Sequence, residues 1–108
     1  MAQSQLQVVA DWERRKEQKL VQVFQLAQQL AQDHKQKLSG LENYRLDYLR
    51  QAQPRAKEGA GSVTFGPHQQ YIATLDKACE MQVNTLSQAI RVAHQRHMNW
   101  IAHTRHPK

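Results

Sequence analysis

The chain has 108 residues, with 15 Lys plus Arg against 9 Asp plus Glu, and a formal charge of +6 at pH 7. That length holds one domain at most, and four Gly and three Pro are too few for a collagen-like or Pro/Gly-rich disordered chain. With 17 Gln and 12 Ala beside abundant Leu, Lys and Arg, all good helix formers, and few of the residues that strands favour, composition excludes a sandwich or barrel.

A first helix is predicted over about 3–53. With Leu6 at heptad position a, that position holds Leu6, Glu13, Leu20, Ala27, His34, Leu41 and Tyr48. Position d holds Val9, Lys16, Val23, Leu30, Lys37, Tyr44 and Gln51, while Phe24, Ala31, Leu38 and Ala52 widen the stripe at e. This predicts an amphipathic helix with a seam that is polar near 13–16 and 34–37. Pro54, Gly59, Gly61, Gly66 and Pro67 then cluster in 14 residues. Pro and Gly both disfavour a helix interior, so 54–67 is expected to be a connector, with Pro67 at the first position of a second helix over about 67–105. Its stripe is Ile72, Leu75, Cys79, Val83, Leu86, Ile90, Ala93, His97, Trp100 and Ile101, mostly at steps of three and four.

Neither helix buries its stripe alone. The expected fold is all-α, a long antiparallel two-helix coiled-coil hairpin that forms a single unit over 1–108. Residues whose numbers sum to about 120 should face each other. Tyr48 would meet Ile72, Leu41 would meet Cys79, Leu30 would meet Ile90, and Val23 would meet His97. The first dozen residues, apolar at Leu6, Val8, Val9 and Trp12, would have no internal partner. Either they meet another protein or the chain lacks a C-terminal piece.

No phosphate-binding loop, nucleophile elbow or metalloprotease motif is present, so the chain reads as a non-enzyme without a cofactor. A lone cysteine, Cys79, excludes an internal disulfide framework and reads as a small core residue. His94 with His97, and His103 with His106, have helical metal-ligand spacing, but no acid follows Glu80 to complete a site, so no metal is expected. No apolar run approaches a membrane span and the N-terminus has no signal-peptide pattern, which together suggest a soluble cytosolic protein. Arg91, Arg96, Arg105 and Lys108 stand in a stretch without acids, and Arg14, Arg15, Lys16 and Lys19 would converge with them at the open end of the hairpin. That end reads either as a solvated surface or as a dock for an acidic partner. Motifs for reading grooves or stacking bases are missing, so nucleic acid is not the expected partner.

On helix two, Tyr71, Leu75, Ala78 and Gln82 follow an i, i+4, i+7, i+11 spacing beside the seam. They either widen the hairpin contact or form a shallow partner-binding patch. Leu41-Glu42-Asn43-Tyr44-Arg45-Leu46-Asp47-Tyr48 resembles the L-x-x-Y-x-x-x-Y stretch that ends helix one of the flagellar export family FliJ. His68 to Ala78 is similar to that family's Tyr-Gln-Gln-Phe-Ile-x-x-Leu-Glu-Lys-Ala run, and the position of Trp100 also fits. The resemblance implies a cytoplasmic, non-enzymatic coiled-coil stalk, peripheral at the inner-membrane export apparatus. It implies partners too: the hexameric flagellar export ATPase, the cytoplasmic domain of the export gate membrane protein, and export chaperones. The family's gate-contact stripe maps onto Tyr71, Leu75, Ala78 and Gln82, with Tyr where Phe is common and Gln where His can occur. The ATPase-facing end corresponds to the open end, where charge placement points to Arg14, Arg15, Arg91 and Arg96. Family members usually extend beyond this chain's last residue, which suggests a truncated form. Two other readings stay open: a small basic nucleic-acid-binding coiled coil, and the equivalent stalk of an injectisome.

Overall fold

The computed structural model describes the backbone of residues 2–57 and 62–105, and side chains at 4–52 and 66–105. Every described residue is helical. Helix α1 spans Ala2–Lys57 and helix α2 spans Ser62–Arg105. The fold is all-α, two long helices packed against each other as a hairpin. Both helices reach further into the 54–67 stretch than its Pro and Gly content suggests; the rest of that stretch lies outside the described residues. Pro67 falls inside α2, five residues after its start, rather than at the first position. There it lies past the four N–H groups that a helix start leaves unpaired, so it removes one backbone hydrogen bond and crowds the carbonyl one turn earlier.

The described residues fall into two compact units. One holds the residues up to Gln32 with those from Gln88 on, and the other is Asp33–Ser87. In the first unit, the residues of α1 withdrawn from solvent include Glu13, Glu17, Leu20, Phe24, Ala27 and Ala31, at steps of three and four. Facing them on α2 are Ala89, Ala93, Arg96, Trp100 and His103. Phe24 packs on His97 with ring centroids 4.8 Å apart and stacks with Trp100 at 6.1 Å. Glu13 pairs with His103 at 3.3 Å. In the second unit, His34, Leu38, Leu41, Arg45, Tyr48 and Ala52 of α1 face His68, Ile72, Leu75, Cys79, Gln82 and Leu86 of α2. Cys79 is half-buried on this seam.

These stripes correct the heptad frame. The seam on α1 runs through positions a and e, not a and d: Lys16, Val23, Leu30, Lys37, Tyr44 and Gln51 are all exposed. The a/d frame would bury two lysines, and an ammonium group taken from water without a facing acid is costly. Position e carries Glu17 and Arg45 instead, and Arg45 finds Asp76 across the seam. On α2 the same alternation takes Gln82 and Ala89 inward and leaves Val83 and Ile90 outside. Leu30 and Ile90 therefore do not form a buried pair, and His97 meets Phe24 rather than Val23. Tyr48 contacts His68 and Tyr71, within one turn of the expected Ile72.

Among the described residues, Gln82 is the one polar residue of the three most buried, at 6% exposure beside Leu75 at 7% and Ala89 at 9%. Its Nε2 donates to the carbonyl oxygen of His34 at 3.0 Å and lies 3.1 Å from His34 Nδ1. A buried amide held by two acceptors on the opposite helix costs little, and it penalises any register in which it lacks them. Gln82→Ala and His34→Ala, combined in a double-mutant cycle followed by urea unfolding, should give a coupling energy of about 1 kcal/mol; additive losses would show that the contact is not energetically linked.

Candidate partner-binding surfaces

The four residues of the proposed gate stripe do not share one exposed face. Leu75 and Gln82 sit at 3–4 seam positions and turn toward α1. Ala78 is half-buried at the rim and Tyr71 is exposed at 37%. The i, i+4, i+7, i+11 spacing joins rim positions to seam positions, so only Tyr71 and Ala78 are left as surface. Around Tyr71 the structure builds an aromatic cluster in the second unit. Tyr44 and Tyr71 share a hydroxyl–hydroxyl hydrogen bond of 2.8 Å. Tyr48 meets Tyr71 edge-on, with centroids 4.7 Å apart and planes at 69°, a favoured aromatic geometry. Its hydroxyl lies 2.6 Å from His68 Nδ1. Close by, Glu42, Arg45, Leu46, Asp76 and Cys79 line a shallow depression crossed by the Arg45–Asp76 ion pair. A partner here would meet phenol rings and a neutralised ion pair rather than a bare apolar stripe.

The basic groups of the first unit are more spread than the hairpin reading implies. Arg14 and Arg15 stand beside Glu13, which is level with His103. Arg91 is twelve residues back along α2, about 18 Å at 1.5 Å per residue. Arg14 pairs with Asp11 at 2.8 Å, and Arg15 Nε donates to the Asp11 carbonyl oxygen at 3.4 Å. Arg96 is half-buried on the seam. The four arginines thus line one unit instead of converging at a point, with Arg14, Arg15 and Arg91 exposed.

Beside the Tyr44–Tyr71 and Tyr48–His68 contacts, three cross-helix polar pairs among the described residues were not singled out by sequence: His34–Gln82, Glu13–His103 and Arg45–Asp76. All follow the antiparallel number rule within one turn, so the rule combined with the a/e frame would have found them. Among the described residues, no three His, Cys, Asp or Glu side chains gather where they could hold a metal ion. No described helix is long and apolar enough to cross a membrane.

The hydrogen bond that the Tyr71 hydroxyl shares with Tyr44 holds the Tyr71 phenol above its ordinary pKa of 10.0, helped by desolvation and by the like charge that Tyr44 and Tyr48 carry once ionised. The folded state therefore keeps this proton more tightly than the unfolded chain. Its stabilising contribution is complete below pH 10 and is lost as pH rises through the folded-state value. Thermal unfolding followed between pH 9 and 11.5 should show a falling midpoint that Tyr44→Phe makes shallower; identical slopes would dissociate the pair from stability.

A family model described as the flagellar FliJ protein matches residues 2–108. Searches of curated proteins and of solved structures give no match. The match spans nearly the whole chain, and the chain belongs to the FliJ family of flagellar proteins.

Proposed function

We propose that this chain is a non-enzymatic stalk and coupling protein of flagellar type III protein export. In this reading it works in the cytoplasm and is held at the inner-membrane export apparatus through its partners. It engages the hexameric export ATPase, the cytoplasmic domain of the export gate, and export chaperones. The observation that carries the reading is the family match over residues 2–108. The structure supports it in kind: a hairpin of two helices buries few side chains on itself and offers surface rather than an enclosed cavity in which catalysis is tuned.

The mechanism is positional. Within each unit the 3–4 seam fixes which side chains point outward and at what height. A ring of subunits around such a hairpin meets a different set of groups at each angle, so binding favours one subunit state over another. Arg14, Arg15 and Arg91 supply charge for the ATPase contact, and Arg96, nearer the seam, positions that face. Tyr71 with the rim of Ala78 supplies the gate contact; Leu75 and Gln82 act behind it by holding α2 against α1.

The full chain, mixed with the matching export ATPase, should raise hydrolysis and ring assembly, and Arg14→Glu with Arg15→Glu should lose most of that effect without loss of helicity. In the same preparation Tyr71→Ala should weaken binding to the gate's cytoplasmic domain roughly tenfold, about 1.4 kcal/mol. An unchanged hydrolysis rate and no detectable ATPase binding would remove the coupling role, and unchanged gate affinity would remove the Tyr71 contact.

A further inference from the structure

The first unit carries a second helical stripe that α2 does not cover. On α1, Val9, Trp12, Lys16, Lys19, Val23, Leu26 and Leu30 alternate at steps of three and four, and all are exposed. From Trp12 onward each precedes a seam residue by one position, which turns this face roughly 100° from the seam. Leu26 is 72% exposed and Leu30 53%, more than isolated surface apolar residues need explain when they are aligned. In the second unit Tyr44 and Tyr71, each also one position before a seam residue, meet on one side of the helix pair. The same relation in the first unit places exposed Val92 of α2 on the side of Val23 and Leu26. A helix with two adjacent 3–4 faces, next to an apolar residue of its neighbour, forms one wall of a groove that accepts a third helix.

Charge decides what fits. Lys16 and Lys19 interrupt the apolar stripe at its centre, and among the described residues neither has a carboxylate at ion-pair distance. The Lys16 ammonium group sits 5.1 Å from the centroid of the Trp12 ring. A second copy of this chain laid on the stripe would set these lysines against each other, in register if parallel and near Lys19 if antiparallel. Like charges so placed oppose pairing, whereas acids at the two central positions favour it. We propose that this face of the first unit is a docking site for an acidic amphipathic helix of another protein. Apolar residues of that helix would contact Val9 and Trp12 at one end and Val23, Leu26 and Leu30 at the other, with Asp or Glu between them opposite Lys16 and Lys19. The site lies on a different face from Arg14, while Arg15, three residues after Trp12 and four before Lys19, stands at its edge.

The test uses two synthetic amphipathic helices with Leu at the five apolar-facing positions and either Glu or Lys at the two central ones. Each is titrated calorimetrically into the full chain at low salt. The Glu helix should bind roughly tenfold more tightly than the Lys helix, with the order reversed by Lys16→Glu with Lys19→Glu. Leu26→Ser with Leu30→Ser should abolish binding while circular dichroism stays unchanged, since both side chains are exposed. Equal binding of the two helices, or no binding of the Glu helix at about 100 µM, weaker than the micromolar range of specific association, would overturn the proposal. So would sedimentation showing a dimer of the chain that Leu26→Ser with Leu30→Ser dissolves, which would give the stripe to a second copy.

Discussion

The cost of putting an unpaired lysine between two helices sets the phase of this seam. Position a of α1 is inward under either frame; what differs is whether its companions come from d or from e. Position d offers four apolar residues, Val9, Val23, Leu30 and Tyr44, and position e offers five, Ala10, Phe24, Ala31, Leu38 and Ala52, three of them only alanines. Hydrophobic area alone therefore does not separate them. The charged residues do, because d carries Lys16 and Lys37 while e carries Glu17 and Arg45. Arg45 has a carboxylate waiting on α2, and a paired guanidinium at a half-buried rim is tolerated where a lone ammonium is not.

Once that phase is set, three of the polar inclusions follow as cross-helix pairs. Glu13 meets His103, Arg45 meets Asp76, and His34 meets Gln82. Each joins α1 to α2, and each is short of full burial except at Gln82. A seam of alanines and half-buried aromatics holds the helices without strongly preferring one alignment, since small residues slide past one another at little cost. Directional contacts between specific partners supply that preference. The phase also explains the surface: turning e inward turns Val23, Leu26, Leu30 and Tyr44 outward, and the groups left exposed are the ones available to other proteins.

The hairpin itself was legible in the sequence, from the 3–4 periodicity on either side of the Pro54–Pro67 stretch and from the scarcity of strand-forming residues. The antiparallel number rule placed real partners within a turn. The phase on α1 was not legible from apolar content, because the larger residues at d offset the one extra alanine at e; it needed the location of Asp76 on the opposite helix. Val83 and Ile90 were read as buried because they are large and apolar, yet Gln82 and Ala89 keep strict alternation with Leu75, Cys79, Leu86 and Ala93. Geometry overrides hydrophobicity there: a residue one step off the seam is turned some 100° away. The stripe Tyr71, Leu75, Ala78 and Gln82 likewise spans two edges, with Leu75 and Gln82 covered and Tyr71 and Ala78 at the rim. Sequence spacing at i, i+4, i+7 describes a face, but only the packed helix says which edge of that face is covered.

Adjacent residues on α1 test the phase most directly. Ala31 lies on the seam and Leu30 beside it. Thermal unfolding of Ala31→Glu and Leu30→Glu, compared at neutral pH, should show a loss of about 2–4 kcal/mol for Ala31→Glu, where a carboxylate is forced between the helices. For Leu30→Glu the change should stay within about 0.5 kcal/mol, as for a surface position. The opposite ranking would mean that Leu30 is the buried residue and that the seam runs through a and d.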